Sequence, residues 1–363
     1  MSDDVKPLTN ADTGRLPATM TALAKLKAEP GLWQTEAPVP VIAPDEVLIA
    51  VTHTAICGTD VHIYNWDNWA QKTVPVPMIT GHEFAGTIAA IGSRVTRPLR
   101  LGMRVSAEGH VIDLDSDAAR LGQFHLDPAT QGIGVNRPGA FARFVAVPAF
   151  NVIPLPERVS NELGAILDPF GNAVHTVQQT NVMGRDVLVT GAGPIGIMAA
   201  AVARFSGARS VTLTDINPYR LDLAGRVADI RTVDVSKEDL HDVRCELGVA
   251  NGYDVALEMS GAKPAIPQAI EHLRMGGDLT LLGIPAGAVP FDWSSVIMKA
   301  LTVRGVYGRQ MFDTWKRMLG LIEAGFPLDR IITHRLPAVA FQQGFDLMRS
   351  GQSGKIVLDW SGA

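Results

Sequence analysis

The stretch DVLVTGAGPIGIMAAAVARF, residues 186–205, decides the fold. Its first five residues read as a buried strand, the glycine cluster as a tight turn, and the apolar run beyond as a helix. Gly191-Ala-Gly193-Pro-Ile-Gly196 has the spacing of a dinucleotide turn, placed straight after a strand and opening a helix. Gly191 makes the turn, Gly193 lets the backbone approach a pyrophosphate, and Gly196 allows the helix to pack closely on the sheet. The helix start then presents free N–H groups to the anion. A second strand-like run, 210–215, ends in Asp215, where a carboxylate accepts both ribose hydroxyls and repels a 2′-phosphate. That favours NAD over NADP. Arg220 is the opposing signal, since a nearby arginine accommodates such a phosphate; its plainer reading is a solvated helix residue lying on the adenosine.

Outward from this stretch, strand-like runs at 254–259, 278–282 and 302–306 alternate with helical ones, beginning with 219–227, which predicts a parallel sheet wound on both faces. Upstream, residues 37–150 mix short β-branched stretches (46–53, 85–91, 141–147) with Gly and Pro punctuation, the pattern of a small irregular β domain. After Gly308 a helix and a closing strand, 355–360, form a C-terminal return. Residues 1–19 are polar and turn-prone and read as a disordered arm, with Met20 a second possible initiation point. The expected organisation is therefore an arm (1–19), a β-rich domain from 20–168 and 309–363, and a nucleotide domain from 169–308.

Thirty-five glycines and 23 prolines in 363 residues fit a fold rich in tight turns. With 32 basic and 37 acidic residues the net charge is -5, leaving no basic surface for a phosphate backbone, so nucleic acid is not an expected partner. The longest charge-free run, 187–203, is broken by glycines and proline and stops short of the ~18–20 residues that span a bilayer, so no membrane segment is expected. The two cysteines, Cys57 and Cys245, exclude a disulfide-stapled domain and any four-cysteine metal site, and suit a reducing, cytoplasmic setting.

Cys57-Gly-Thr59-Asp-Val-His62 is followed by Gly81-His82-Glu83. Thiolate, imidazole and carboxylate are all zinc ligands, and three of them leave a fourth position open. Taken singly, such a cysteine also reads as a small buried hydrophobe and the His-Glu pair as incidental. The segment GHEFAGTIAAIGSRV reproduces the GHE pattern of zinc alcohol dehydrogenases, and with the downstream glycine fingerprint the chain resembles the medium-chain dehydrogenases/reductases over residues 20–363. YNWDNW, DPFGNAVHT, GRQMFDTW and RSGQSGKIVL narrow the resemblance to the L-threonine 3-dehydrogenase family.

That resemblance implies an α/β architecture, a GroES-like β-rich catalytic domain plus a Rossmann domain, and oxidation of the 3-hydroxyl of L-threonine to 2-amino-3-oxobutanoate with formation of NADH. It puts Cys57, His82 and Glu83 on the catalytic zinc, acting as a Lewis acid on the substrate oxygen. It also puts Thr59 and His62 on the proton relay and Asp168 beside the metal, although Asp168 also reads as a helix N-cap before Pro169. Ile195 falls at the pyrophosphate turn, Asp215 and Arg220 at the adenosine, and Leu282, Gly283, Ile284, Val306 and Tyr307 along the cofactor; the apolar members equally suit a sheet core. His110, Asn172 and Arg309 are the candidates for the substrate's carboxylate and ammonium. A homotetramer is implied, with 302–306 as the pairing edge.

The chain departs from the family in one lobe. The four cysteine positions that hold a structural zinc in most relatives are Asp113, Ser116, Ala119 and Asp127, so a thiolate site is impossible and a single zinc per subunit is expected. Asp, Ser and Ala favour a helix start, and Leu114, Leu121, Phe124 and Leu126 are the expected internal packing. Met103 stands where many relatives have aspartate, an expected loss of local hydrogen bonding only. Two other readings remain at this point: a polyol or secondary-alcohol dehydrogenase of sorbitol or butanediol type, and a non-catalytic NAD-binding protein. The complete Cys57, Thr59, His62, His82, Glu83 set argues against the second.

Overall fold

Runs of Val, Leu and Ile that bury both faces build a parallel sheet, and alternating runs build antiparallel ones; this chain contains both. In the computed structural model, residues 16–362 are described. The first fifteen residues of the expected arm lie outside them, and Thr19 already belongs to the strand Thr19–Lys25. Packing divides the chain into two units. The first runs up to Asp168 and resumes at His334–Ser350 and from Lys355; the second is Pro169–Thr333 with Gly351–Gly354. The sequence reading ends the first domain at 168 and resumes it at 309; packing ends the first unit at Asp168 and resumes it at His334.

The second unit is a six-stranded parallel sheet. In chain order the strands are Asp186–Thr190, Ser210–Asp215, Arg231–Asp234, Tyr253–Glu258, Leu273–Leu281 and Thr302–Gly305; in space they lie third, second, first, fourth, fifth, sixth. The order reverses between the first and fourth, which is the dinucleotide-binding Rossmann arrangement. Arg231–Asp234 was not among the expected strands: four residues with a charge at each end carry little hydrophobic signal. Gly191 has φ +95°, and a Cβ on Gly196 would lie 1.9 Å from the Gly191 carbonyl oxygen, so both positions demand glycine. Leu188, Ala256, Ile270 and Leu279 form part of the buried core.

In the first unit the long strand Glu46–Ala55 is central. It pairs antiparallel with Glu83–Ile91 on one side, and with Phe144–Pro148 and Lys355–Asp359 on the other. Val47, Ile49, Phe84, Val145 and Ile356 pack inside, and Met103 lies against this core. No helix among the described residues is long and apolar enough to cross a membrane.

The altered lobe is closed by side-chain to backbone hydrogen bonds. Ser116 caps the short helix Asp117–Arg120, its Oγ accepting the Ala119 N–H at 3.1 Å. Asp127, buried, accepts the Asp113 N–H at 2.7 Å through Oδ2 and the Ala129 N–H at 3.1 Å through Oδ1. The four former cysteine positions are thereby joined in two pairs, 116 to 119 and 127 to 113. The expected leucine packing is overturned: Leu114, Leu121 and Leu126 are 51%, 73% and 51% exposed, because the lobe is too small to cover them, and only Phe124 finds a ring, that of Phe150. Asp127→Ala orphans two amides and is expected to destabilise the lobe by about 1–3 kcal/mol; hydrogen exchange at Asp113 and Ala129 measures it.

Candidate metal and cofactor sites

Strand pairing builds the metal cluster. Ala55 lies opposite Glu83 in the antiparallel register, so Cys57, two residues past the strand end, meets the His82-Glu83 pair entering the neighbouring strand. Cys57 caps the helix Gly58–Asn65, with its N–H donated to Asp60 Oδ2 at 2.9 Å. Ligand atoms of Cys57, His82 and Glu83 all lie within 4.8 Å of one another, and among the described residues no other group of three or more His, Cys, Asp or Glu converges in this way.

Asp60, Glu83 and Asp168 are all buried here, and the Lys355 ammonium lies 2.5 Å from Glu83 Oε2. Burial pushes the Glu83 and Asp60 carboxyls above their ordinary values, Lys355 and His82 partly offsetting the first and His82 and the Cys57 N–H the second. Burial opposes charge on His82, yet Asp60, Cys57 and Asp168 hold its pKa well above the usual imidazole value. The same contest raises Lys355, where burial is outweighed by Glu83 and Cys57. His82 Nδ1, 3.6 Å from Asp60 Oδ1, and Glu83 Oε1 are buried without a hydrogen-bond partner. Orphaned donor atoms in a converging thiolate, imidazole and carboxylate set fit a zinc ion.

Thr59 Oγ1 is 3.8 Å from Cys57 Sγ, so the first expected relay group stands beside the cluster. His62 is exposed, and its Nδ1 is 2.5 Å from Asp67 Oδ2. Asp67 is itself anchored as N-cap of the helix Asn68–Thr73, accepting the Trp69 and Ala70 N–H groups at 3.0 Å. The Ala70 N–H, then His62 and last the Trp69 N–H hold its carboxyl below the usual range although partial desolvation opposes them. Asp168 is the second residue of the helix Leu167–Gln178, so it lies inside the first turn and the N-cap reading is replaced. There its charge favours the helix N-terminus and acts on His82 and Glu83.

The substrate candidates are divided between the units. His110 is in the first, with both its N–H and Nδ1 on Oε1 of buried Glu108, at 3.0 and 2.9 Å. Asn172 and Arg309 are in the second. Asn172 Oδ1 is buried without a hydrogen-bond partner. Arg309 is 1% exposed, its guanidinium 5.8 Å from the Trp315 ring centroid, and a Cβ on Gly171 would come within 2.8 Å of its Cδ.

Among the cofactor candidates, Asp215 Oδ2 accepts the Ala192 N–H of the glycine turn at 2.6 Å, while Oδ1 accepts those of Ile216 and Asn217 at 2.7 and 2.9 Å. The acidic residue therefore shapes the glycine turn as well as the start of the loop beyond its own strand. Arg220 Nε is buried without a partner. Leu282 and Gly283 donate their N–H groups to the Glu258 carbonyl, and Val306 to that of Leu281. Ile284 and Tyr307, 90% and 61% exposed, are not sheet core.

Residues 43–157 match the alcohol dehydrogenase GroES-like domain, and 194–324 the zinc-binding dehydrogenase family. Over 343 residues the chain is 58% identical to the L-threonine 3-dehydrogenase of Ruegeria pomeroyi, covering 94% of this chain and 100% of that one. The chain belongs to the L-threonine 3-dehydrogenase family of zinc-containing medium-chain alcohol dehydrogenases. Another member, from Proteus mirabilis, is 54% identical with 94% and 100% coverage. Among solved structures, an alcohol dehydrogenase from a Thermus species has 27% identity, a TM-score of 0.85 and coverage of 94% and 99%.

Sequence reasoning missed several of the charged supports in this L-threonine 3-dehydrogenase family member. Asp60 had a local signal, an acid three residues after a helix cap. Asp67 had one also, since it precedes a short helix. Glu108 and Lys355 had none, because the contacts that give them meaning are made only by the fold.

Proposed function

We propose that this enzyme oxidises the 3-hydroxyl of L-threonine to 2-amino-3-oxobutanoate and reduces NAD to NADH. The observation that carries the reading is the convergence of Cys57, His82 and Glu83 in a chain with full-length identity to L-threonine 3-dehydrogenases. Zinc on those three residues supplies Lewis acidity to the alcohol oxygen, and NAD in the second unit supplies the hydride acceptor. Thr59 Oγ1 stands at the start of the proton relay and His62 at its solvent end. With Nδ1 engaged by Asp67, His62 uses Nε2 for transfer. His110, whose Nδ1 meets Glu108 Oε1, and Asn172, whose Oδ1 is buried without a hydrogen-bond partner, are the candidates for the substrate's carboxylate and ammonium.

Asp215 sets the preference for NAD. The hydrogen-bonded lobe supports a single zinc per subunit. An exposed edge strand, Thr302–Gly305, together with Trp293, Ile297 and Met298 at 63%, 73% and 75% exposure on the adjoining helix, supports pairing between copies in a homotetramer. Both free thiols suit a cytoplasmic setting.

An NADH-release assay with L-threonine, D-threonine, 2,3-butanediol and sorbitol tests the reading. L-threonine is expected to lead, NAD to exceed NADP by about tenfold or more in kcat/KM, and a chelator to abolish turnover. Metal analysis is expected to find one zinc per subunit. A lead for butanediol or sorbitol assigns the chain to polyol oxidation, equal use of NADP removes the Asp215 argument, and NADH binding without any turnover leaves a non-catalytic protein.

A further inference from the structure

Glu258 is the last residue of the strand Tyr253–Glu258 and is fully buried. In the parallel register it lies opposite Thr190, the last residue of the first strand. It therefore sits where the strand order reverses, the point beyond which open parallel sheets bind dinucleotides. Its Oε1 accepts the Ser260 N–H at 2.8 Å, the Ser260 hydroxyl at 2.5 Å and the Gly261 N–H at 3.0 Å, with the Thr190 hydroxyl at 3.4 Å. Its backbone carbonyl accepts the N–H groups of Leu282 and Gly283 at 2.9 and 3.1 Å. One residue thus holds both loops that follow the fourth and fifth strands.

The junction has no slack. A Cβ on Gly283 would lie 2.2 Å from the Gly261 nitrogen and 2.5 Å from Glu258 Oε2, an oxygen that is buried without a hydrogen-bond partner. Holding one loop would not require a desolvated carboxylate, since a neutral Ser or Asn side chain caps a turn with less desolvation. What the carboxylate adds is several donors from one loop gathered on a single oxygen, while its own backbone fixes the next loop.

We propose that Glu258 is a positioning residue for the nicotinamide half of the cofactor. Its carboxylate sets the 259–262 and 282–284 loops in the arrangement that receives the nicotinamide ring, while Asp215 and Arg220, beyond the second strand, hold the adenosine half independently. This rests on the NAD reading of the second unit.

Binding of NADH and of ADP-ribose, which lacks only the nicotinamide ring, separates the ring's contribution from that of the rest of the cofactor in the full-length protein. Glu258→Ala is expected to weaken NADH about tenfold and ADP-ribose less than about twofold. Glu258→Gln, which keeps one acceptor oxygen, is expected to fall between Glu258→Ala and the unsubstituted protein. Ser260→Ala, at an exposed position, removes the hydroxyl's bond to Glu258 Oε1 and the one it accepts from the Ala262 N–H without threatening the fold, and is expected to weaken NADH a few-fold with ADP-ribose unchanged. Should Glu258→Ala not fold, the other two variants decide. Unchanged NADH affinity, or equal weakening of both ligands, would overturn the proposal. Failure of the unsubstituted protein to bind ADP-ribose would instead overturn the NAD reading beneath it.

Discussion

Cys57→Ser is expected to lower kcat/KM for L-threonine by at least about 10³-fold while leaving NADH affinity within about twofold. The loss follows from the ligand set. With three protein donors, removal of the thiolate leaves an imidazole and a carboxylate, and a serine hydroxyl, protonated at neutral pH, replaces the thiolate poorly. Several kcal/mol of charge stabilisation at the substrate oxygen go with it, and each 1.4 kcal/mol is about a decade in rate. Fold loss is not a competing explanation. Residue 57 caps the helix Gly58–Asn65, a position that serine favours, and its N–H remains available to Asp60 Oδ2. The glycine turn and Asp215 belong to the other unit, so cofactor affinity reports on a part of the chain the substitution does not touch. Steady-state kinetics, NADH titration and zinc content together make the check; turnover retained after zinc is lost would remove the metal role of Cys57.

How much of this was legible before the fold was known depends on how local each signal is. The glycine turn and Asp215 announce themselves within about thirty residues, because one strand-turn-helix unit carries both the geometry and the chemistry. Cys57 and the His82-Glu83 pair are separated by two short helices and a two-residue strand, yet a strand register that places Glu83 opposite Ala55 makes them neighbours, and their residue types gave the site away. Arg231–Asp234 was missed because a short strand buried between charged ends has no period to detect. The lobe leucines misled for the opposite reason: an apolar residue in a small lobe signals packing only if there is enough chain to cover it, and there is not. Glu258 was read as part of a strand and nothing more. Its function depends on two loops that the sequence places about twenty residues apart.

Lys355 belongs to that last group, and its removal should have the largest effect on stability. Its ammonium, 2% exposed, lies 2.5 Å from Glu83 Oε2 and donates to the Ile56 carbonyl at 2.8 Å, while Glu83 is fully buried. Each charge is desolvated and each is compensated chiefly by the other. Lys355→Met keeps most of the side-chain volume and deletes the cation together with its donation to the Ile56 carbonyl, so the metal-free protein is left with a buried carboxylate that His82 offsets only in part, a defect worth about 3–5 kcal/mol. Urea unfolding of chelated protein measures the loss. Zinc provides another positive charge for Glu83, so the same comparison with zinc present is expected to show a clearly smaller gap. Glu83→Gln combined with Lys355→Met removes both charges and is expected to recover part of the stability, since the damage comes from the orphaned partner and not from the missing ion pair itself. An equal loss with and without zinc, and no recovery in the double variant, would mean that Lys355 contributes by packing alone and that the negative charge gathered around Cys57, His82 and Glu83 is balanced elsewhere.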